Sequence, residues 1–159
     1  MGLSLILSQL SAWGQQAAPE DFGRWEREVR RCQLGIAPGR AIAQRCEAVR
    51  LDQQLPGLLS VRFFSRGSGP GPAKRLLMFA GILERGSPAL SCRFGSCQWS
   101  GPMRSRVSAL ADLGISEPRD LSSLPTTRLA RGSCLIQPQR IRCEAQAEGE
   151  GSWWAQADL

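Results

Sequence analysis

The sequence predicts an α+β protein that is mainly β: antiparallel hairpins in a meander, a helical pair on the amino-terminal side, and disulfide staples. Three observations carry this expectation. From Arg140 to Glu148 the residues alternate without a fault, with Ile141, Cys143, Ala145 and Ala147 on one face and Arg140, Arg142, Glu144, Gln146 and Glu148 on the other. A period of two over this length marks a strand with one dry face and one wet face. Folding the chain back at Pro138-Gln139 sets Ile136 opposite Ile141 and Cys134 opposite Cys143, a consistent hairpin register. The third observation is helical spacing upstream: Phe22, Trp25, Val29 and Cys32, then Ile42, Cys46 and Val49.

The chain has 159 residues, 42% hydrophobic and 21% charged, which suits one globular domain with a real core. Leu3 to Leu10 is a short apolar run followed by Ala12-Trp13-Gly14, with small residues at signal-peptidase spacing. Residues 1–14 are therefore expected to be a signal peptide and residues 15–159 a single domain, exported to a periplasmic or extracellular compartment. No apolar run reaches the roughly 20 residues of a membrane-spanning helix.

Within the domain, residues 20–54 are expected to form the helical pair. Pro19-Glu20-Asp21 supplies helix-start chemistry and Gly35 a stop. Residues 58–159 are expected to be β-rich. Leu58 to Phe64 suits a strand, and Ser65 to Pro72 reads as a long hairpin connection. Leu76 to Leu83 is apolar enough for a strand covered on both faces. Leu90 to Trp99 reads as a hairpin turning at Phe94-Gly95, with Cys92 opposite Cys97. Met103 to Gly114 fits either a helix or a strand. Ser116-Glu117-Pro118 starts a short helix that Pro125 closes. Glu148 to Gly151 is a turn, and Ser152 to Ala157 a third strand of the meander.

Six cysteines allow fifteen pairings. Opposition in the two hairpins favours Cys92–Cys97 and Cys134–Cys143, which leaves Cys32–Cys46. Bridges crossing the two hairpins are the competing set. Metal ligation fits poorly, because zinc sites favour closer pairs with histidine nearby, and no redox Cys-x-x-Cys occurs. Disulfides suit an exported chain. No metal or cofactor is expected.

There is no histidine, which removes the usual general base and excludes serine–histidine and cysteine–histidine catalysis within the chain. Glu144, Glu148 and Glu150 cluster at the last turn but read as a solvated face, and no serine is marked out to pair with the one lysine, Lys74. The net charge is +6, nearly all arginine on the cationic side. Arg62, Arg93, Arg140 and Arg142 fall on the wet sides of expected strands and are candidates for gripping carboxylate, sulfate or phosphate. Nucleic-acid binding would add exposed aromatics for stacking, and only Phe64 and one of Trp153 or Trp154 offer themselves. The expected function is an exported, noncatalytic binding or structural module of the cell envelope. Its partner would be an acidic polymer, an anionic surface or another envelope protein. The alternative is a histidine-free, carboxylate-based hydrolase acting on an extracytoplasmic substrate.

Overall fold

The computed structural model describes residues 22–37, 43–66, 74–115 and 124–159. The expected signal peptide, the Pro19 helix start and most of the 116–125 helix lie outside the described residues. Among the described residues there are twelve strands and no helix.

The helical pair over 20–54 is therefore overturned. Its described residues form β1 (Gly23–Glu28), β2 (Arg31–Ala37), β3 (Gln44–Arg45) and β4 (Ala48–Leu55). The cause is a shift of phase. In β2 the inward residues are Cys32, Leu34 and Ile36, alternating with outward Arg31 and Gln33. In β1 the core-packed residue is Trp25, of the opposite parity. Val29 and Arg30 interrupt the strand between them. Across such an irregularity two period-two patterns follow each other at spacings of three and four, which imitates one face of a helix. A second interruption at Cys46–Glu47 separates β3 from β4, so Cys46 and Val49 follow each other at a helical spacing of three, with the same effect.

The remaining strands are β5 (Leu58–Ser65), β6 (Arg75–Leu83), β7 (Ser91–Arg93), β8 (Ser96–Gln98), β9 (Met103–Leu113), β10 (Thr126–Gln137), β11 (Arg140–Ala147) and β12 (Gly151–Asp158). The carboxy-terminal meander has the expected register, with Ile136 opposite Ile141 and Cys134 opposite Cys143. The ambiguous segment is strand β9. Its inward set changes from Met103, Ser105 and Val107 to Leu110 and Asp112, because Ser108 is an extra residue against β6. β6 is not covered on both faces: Leu77 and Phe79 are buried, while Ile82 is 50% exposed beside Leu58 on the outer side.

The hydrogen-bonded order is β3-β2-β12-β11-β10-β9-β6-β5-β4-β1-β8-β7. Its two ends are one piece of structure. The backbone N–H of Val29 donates to Glu47 O at 2.9 Å and that of Cys46 to Cys32 O at 3.1 Å, so β1–β2 runs on as one strand alongside β3–β4. Merging these two pairs closes the sheet into a ring of eight strands, with the β7–β8 hairpin attached outside it. A barrel of this size has room inside for side chains or for one small ligand. Large Trp153, Phe63 and Phe79 are offset by small Ala145, Ala147, Ala155 and Ala157, all buried. The wall is mainly apolar inward, with Asp112 and Gln53 among its buried exceptions, and bears arginines outward.

One end of the barrel carries the tight turns at 56–57 and 138–139 and is capped by the segment between β6 and β9. There the Gln53 side chain holds Leu90 by both backbone groups: Leu90 N–H donates to Gln53 Oε1 at 3.2 Å, and Gln53 Nε2 to Leu90 O at 3.4 Å.

All six cysteines pair as expected: Cys32–Cys46, Cys92–Cys97 and Cys134–Cys143, with Cα separations of 4.9, 4.0 and 4.1 Å. The first bridge joins two strands rather than two helices.

At the tip of the β7–β8 hairpin, Phe94 is 89% exposed and left-handed, with φ of 51°, followed by Gly95 at 77°. Two successive positive φ values define a turn that favours Asn-Gly, and a bulky side chain there is strained. Phe94→Asn is expected to stabilise the protein by about 0.5–1 kcal/mol, because the left-handed penalty falls without loss of packing. Thermal unfolding under nonreducing conditions measures it, and a lower melting temperature would show that Phe94 makes contacts of its own.

A candidate polar cleft on the outer wall

Ring closure decides which outward residues can act together. β5 and β11 are four strands apart in the eight-membered ring, so they lie on opposite sides of the barrel. Arg62 therefore cannot share a surface with Arg140 and Arg142. Its Nε lies 3.4 Å from Asp52, which also takes Arg24 Nε at 3.0 Å. Arg93 stands on the capping hairpin, exposed. Of the four candidate arginines, the structure keeps only Arg140 and Arg142 together. Phe64, expected as an exposed stacking ring, is buried, with the guanidiniums of Arg50 and Arg66 each 5.3 Å from its centroid.

Around Arg140 and Arg142 the registers build a grid. Arg142 faces Gln156, which faces Gln33, which faces Arg45. One step along the strands, Arg140 faces Asp158, which faces Arg31. One step the other way, Glu144 faces Trp154, which faces Gly35. Directly opposed side chains have Cβ atoms about 4.5–5.5 Å apart, so each row forms a contiguous polar strip. A cleft of about 950 Å³ opens here, lined by Trp154, Gln156, Gln33, Arg31, Arg45, Arg140 and Asp158 together with the interrupted segments at Glu28–Arg30 and Cys46–Glu47. The two interruptions that imitated helices supply part of its lining.

Asp158 bridges two arginines, at 2.7 Å to Arg140 Nε and 3.2 Å to Arg31 Nε, and so fixes both guanidiniums while their other N–H groups remain to donate. Among the described residues, no ion pair involves Arg142 or Arg45. Of the three acids that line the cleft, Glu28, Glu47 and Asp158, two are engaged: Asp158 as above, and Glu47, whose Oε2 accepts from the Arg66 backbone N–H at 3.2 Å. Glu144 accepts from Ser152 Oγ at 3.3 Å.

The expected acidic cluster is dispersed. Glu150 pairs with Arg128 at the barrel's other end, and Glu148 borders a separate outer groove of about 510 Å³ beside Arg106, Leu129 and Arg131. Arg128 reaches inward to Asp112 at 2.5 Å, and its guanidinium lies 4.8 Å from the Trp153 ring centroid. Burial works against its charge as the largest single influence, yet Asp112 and Glu150 outweigh it and hold the guanidinium above its ordinary range. Among the described residues, no group of three or more metal-ligating side chains could hold an ion, and no helix is long and apolar enough to cross a membrane.

Sequence reasoning left Arg31, Gln33 and Arg45 out of the site because it placed residues 20–54 on helices. Trp154, Gln156 and Asp158 carried a usable signal. They alternate with Trp153, Ala155 and Ala157, and the structure turns Trp153 inward and Trp154 outward. Compared with known protein families, with curated proteins and with solved structures, the chain shows no significant match.

Proposed function

We propose that the protein is a noncatalytic binding module of an extracytoplasmic compartment, and that the β11–β12–β2 cleft takes an anionic polymer. The observation that carries this is the Arg142–Gln156–Gln33–Arg45 strip beside the Asp158-bridged pair Arg31 and Arg140. Guanidiniums on a rigid sheet present forked donors at repeated spacing, which suits a chain of carboxylate, sulfate or phosphate groups. The three disulfides support the compartment, since such bridges persist where the surroundings oxidise. Hydrolysis by paired carboxylates is the weaker reading. It needs two facing carboxylates free to act on a substrate, whereas two of the three acids that line the cleft, Asp158 and Glu47, are engaged by Arg31, Arg140 and the Arg66 amide, which leaves Glu28.

The double variant Arg140→Gln/Arg142→Gln is expected to weaken retention on a polyanionic matrix by about tenfold, the loss of roughly 1.4 kcal/mol. A control of equal charge change, Arg27→Gln/Arg85→Gln, removes exposed arginines outside the cleft and should change it far less. Retention should fall steeply with salt, because ionic contacts are screened over about 8 Å at physiological strength. Equal losses in the two double variants would reduce the effect to net charge and remove the cleft's role.

A further inference from the structure

Resting on that reading, we infer that the anionic polymer is an acidic polysaccharide, bound with a sugar ring stacked on the outer face of Trp154. The first ground is the setting of this indole. It points outward from β12 and is half-buried, while its neighbour Trp153 fills the core. Its ring lies against Gly35: a Cβ built there would sit 3.1 Å from Cζ2 and 3.2 Å from Cε2 and Nε1 of Trp154. The missing side chain lets the indole lie on the sheet, packed by one face against backbone, and the same residue lines the cleft. An apolar platform half-open to water costs solvation unless a flat apolar surface covers it, and the C–H face of a pyranose is such a surface.

The second ground is the pair of amides beside it. Gln156 and Gln33 face each other one step along the strands from Trp154. Each amide carries two donors and an acceptor oxygen. A polyphosphate offers acceptors only, and the donors of a polyglutamate are backbone N–H groups set back from its carboxylates, so neither places a donor beside each acid group for the amide oxygens. Vicinal hydroxyls donate and accept, and match both. The third ground is the arginines outside the amides, Arg142 and Arg45 at the two ends of the strip and Arg31 and Arg140 in the next row. They are placed for carboxylates or sulfates on sugars that extend past the stacked ring. Stacking aromatic, amides and cations, in that order across one wall, describe a ligand with an apolar ring face, hydroxyls and acid groups together.

The test uses three probes on the full chain: a hexameric oligouronate, the same hexamer with its carboxylates methyl-esterified, and polyglutamate of similar charge. Titration calorimetry at one ionic strength reads affinity. The oligouronate should bind most tightly, with the ester and polyglutamate each weaker. Trp154→Ala should weaken oligouronate binding by about tenfold, as for a truncated aromatic anchor, and polyglutamate binding by much less. Trp154→Phe should restore most of the loss. Gln156→Leu, whose side chain is on the outer wall, should also weaken oligouronate binding more than polyglutamate binding, and it guards against a folding defect in Trp154→Ala. If oligouronate and polyglutamate bind alike and neither outer-wall variant separates them, the polysaccharide assignment is overturned while anion binding stands. If neither polyanion binds wild-type protein, both the assignment and the reading beneath it fall.

Discussion

Gly132→Ala and Gly81→Ala are each expected to prevent the barrel from forming, with a cost above about 4 kcal/mol, the range reserved for backbone or core overpacking that the structure cannot relax. A Cβ on Gly132 would lie 1.9 Å from the Glu144 carbonyl oxygen and 2.5 Å from Ala145 Cα. One on Gly81 would lie 1.9 Å from the Arg106 carbonyl oxygen and 2.8 Å from Val107 Cα. In both cases the obstacle is backbone of the adjacent strand, so no side-chain rotation relieves it. Both glycines border the registers that shift around Ser108, between Ala80 and Gly81 on one side and Leu129 and Gly132 on the other. Bulges draw neighbouring backbones together and bend the sheet, and closure of the ring depends on that bend. Gly57→Ala is the control. Its φ is 78° and its Cβ would meet nothing within 4 Å, so it should cost only about 1 kcal/mol. Urea unfolding of oxidised protein measures all three. A Gly132→Ala midpoint equal to that of Gly57→Ala would contradict the close approach of β10 and β11.

Arg128→Leu is the second large effect, an expected loss of about 3–5 kcal/mol, as when one partner of a buried pair is removed. Arg128 is 15% exposed in its side chain and Asp112 2%. The change takes from Asp112 its guanidinium partner, from Glu150 an ion pair and from Trp153 its cation–π contact. The double variant Arg128→Leu/Asp112→Leu should recover a large part of the loss, because two well-packed apolar groups can replace a buried pair. If the double variant is no more stable than Arg128→Leu alone, the cost lies in the Trp153 and Glu150 contacts rather than in the lost Arg128–Asp112 pair. The pH dependence has a definite sign. A cation whose folded pKa is raised contributes its full stabilisation below the unfolded value and loses it only as pH rises through the folded one. For Arg128 that window lies above the ordinary arginine range. Stability between neutral and moderately alkaline pH should therefore not decline through this group.

The β-rich half was legible because its strands are long and unbroken in phase. Arg140 to Ala147 alternates in the sequence and in the structure, and its partners follow from turn length. The bridges Cys92–Cys97 and Cys134–Cys143 were legible for the same reason, since a hairpin register fixes which cysteines face each other. The helical pair was misread where phase breaks occur. Trp25, Val29 and Cys32 look like one face of a helix, yet Trp25 and Cys32 come from two strand segments of opposite parity and Val29 from the break between them. Val107 and Leu110 in β9 repeat the pattern across Ser108. Spacings of three and four arise from a helix turn or from a bulge, and local sequence does not distinguish the two.

The candidate site divides in the same way. Outward placement of Arg140 and Arg142 follows from alternation, and so does the rule that only one of Trp153 and Trp154 can face out. Alternation says nothing about which strands are neighbours. Arg62 shares the outward phase of Arg140 and Arg142 but lies across the barrel from them, while Gln33 and Arg31, more than a hundred residues from Gln156 and Asp158, lie beside them. The sequence by itself determined the strands with unbroken alternation, the hairpin bridges and the absence of histidine chemistry, because each depends on contacts within a few residues or on composition. Only the tertiary structure decided the closed ring, the inward Arg128 and the cleft. These depend on which distant backbones hydrogen-bond, and the free energy that selects such pairings is spread over the whole wall rather than written in any one segment.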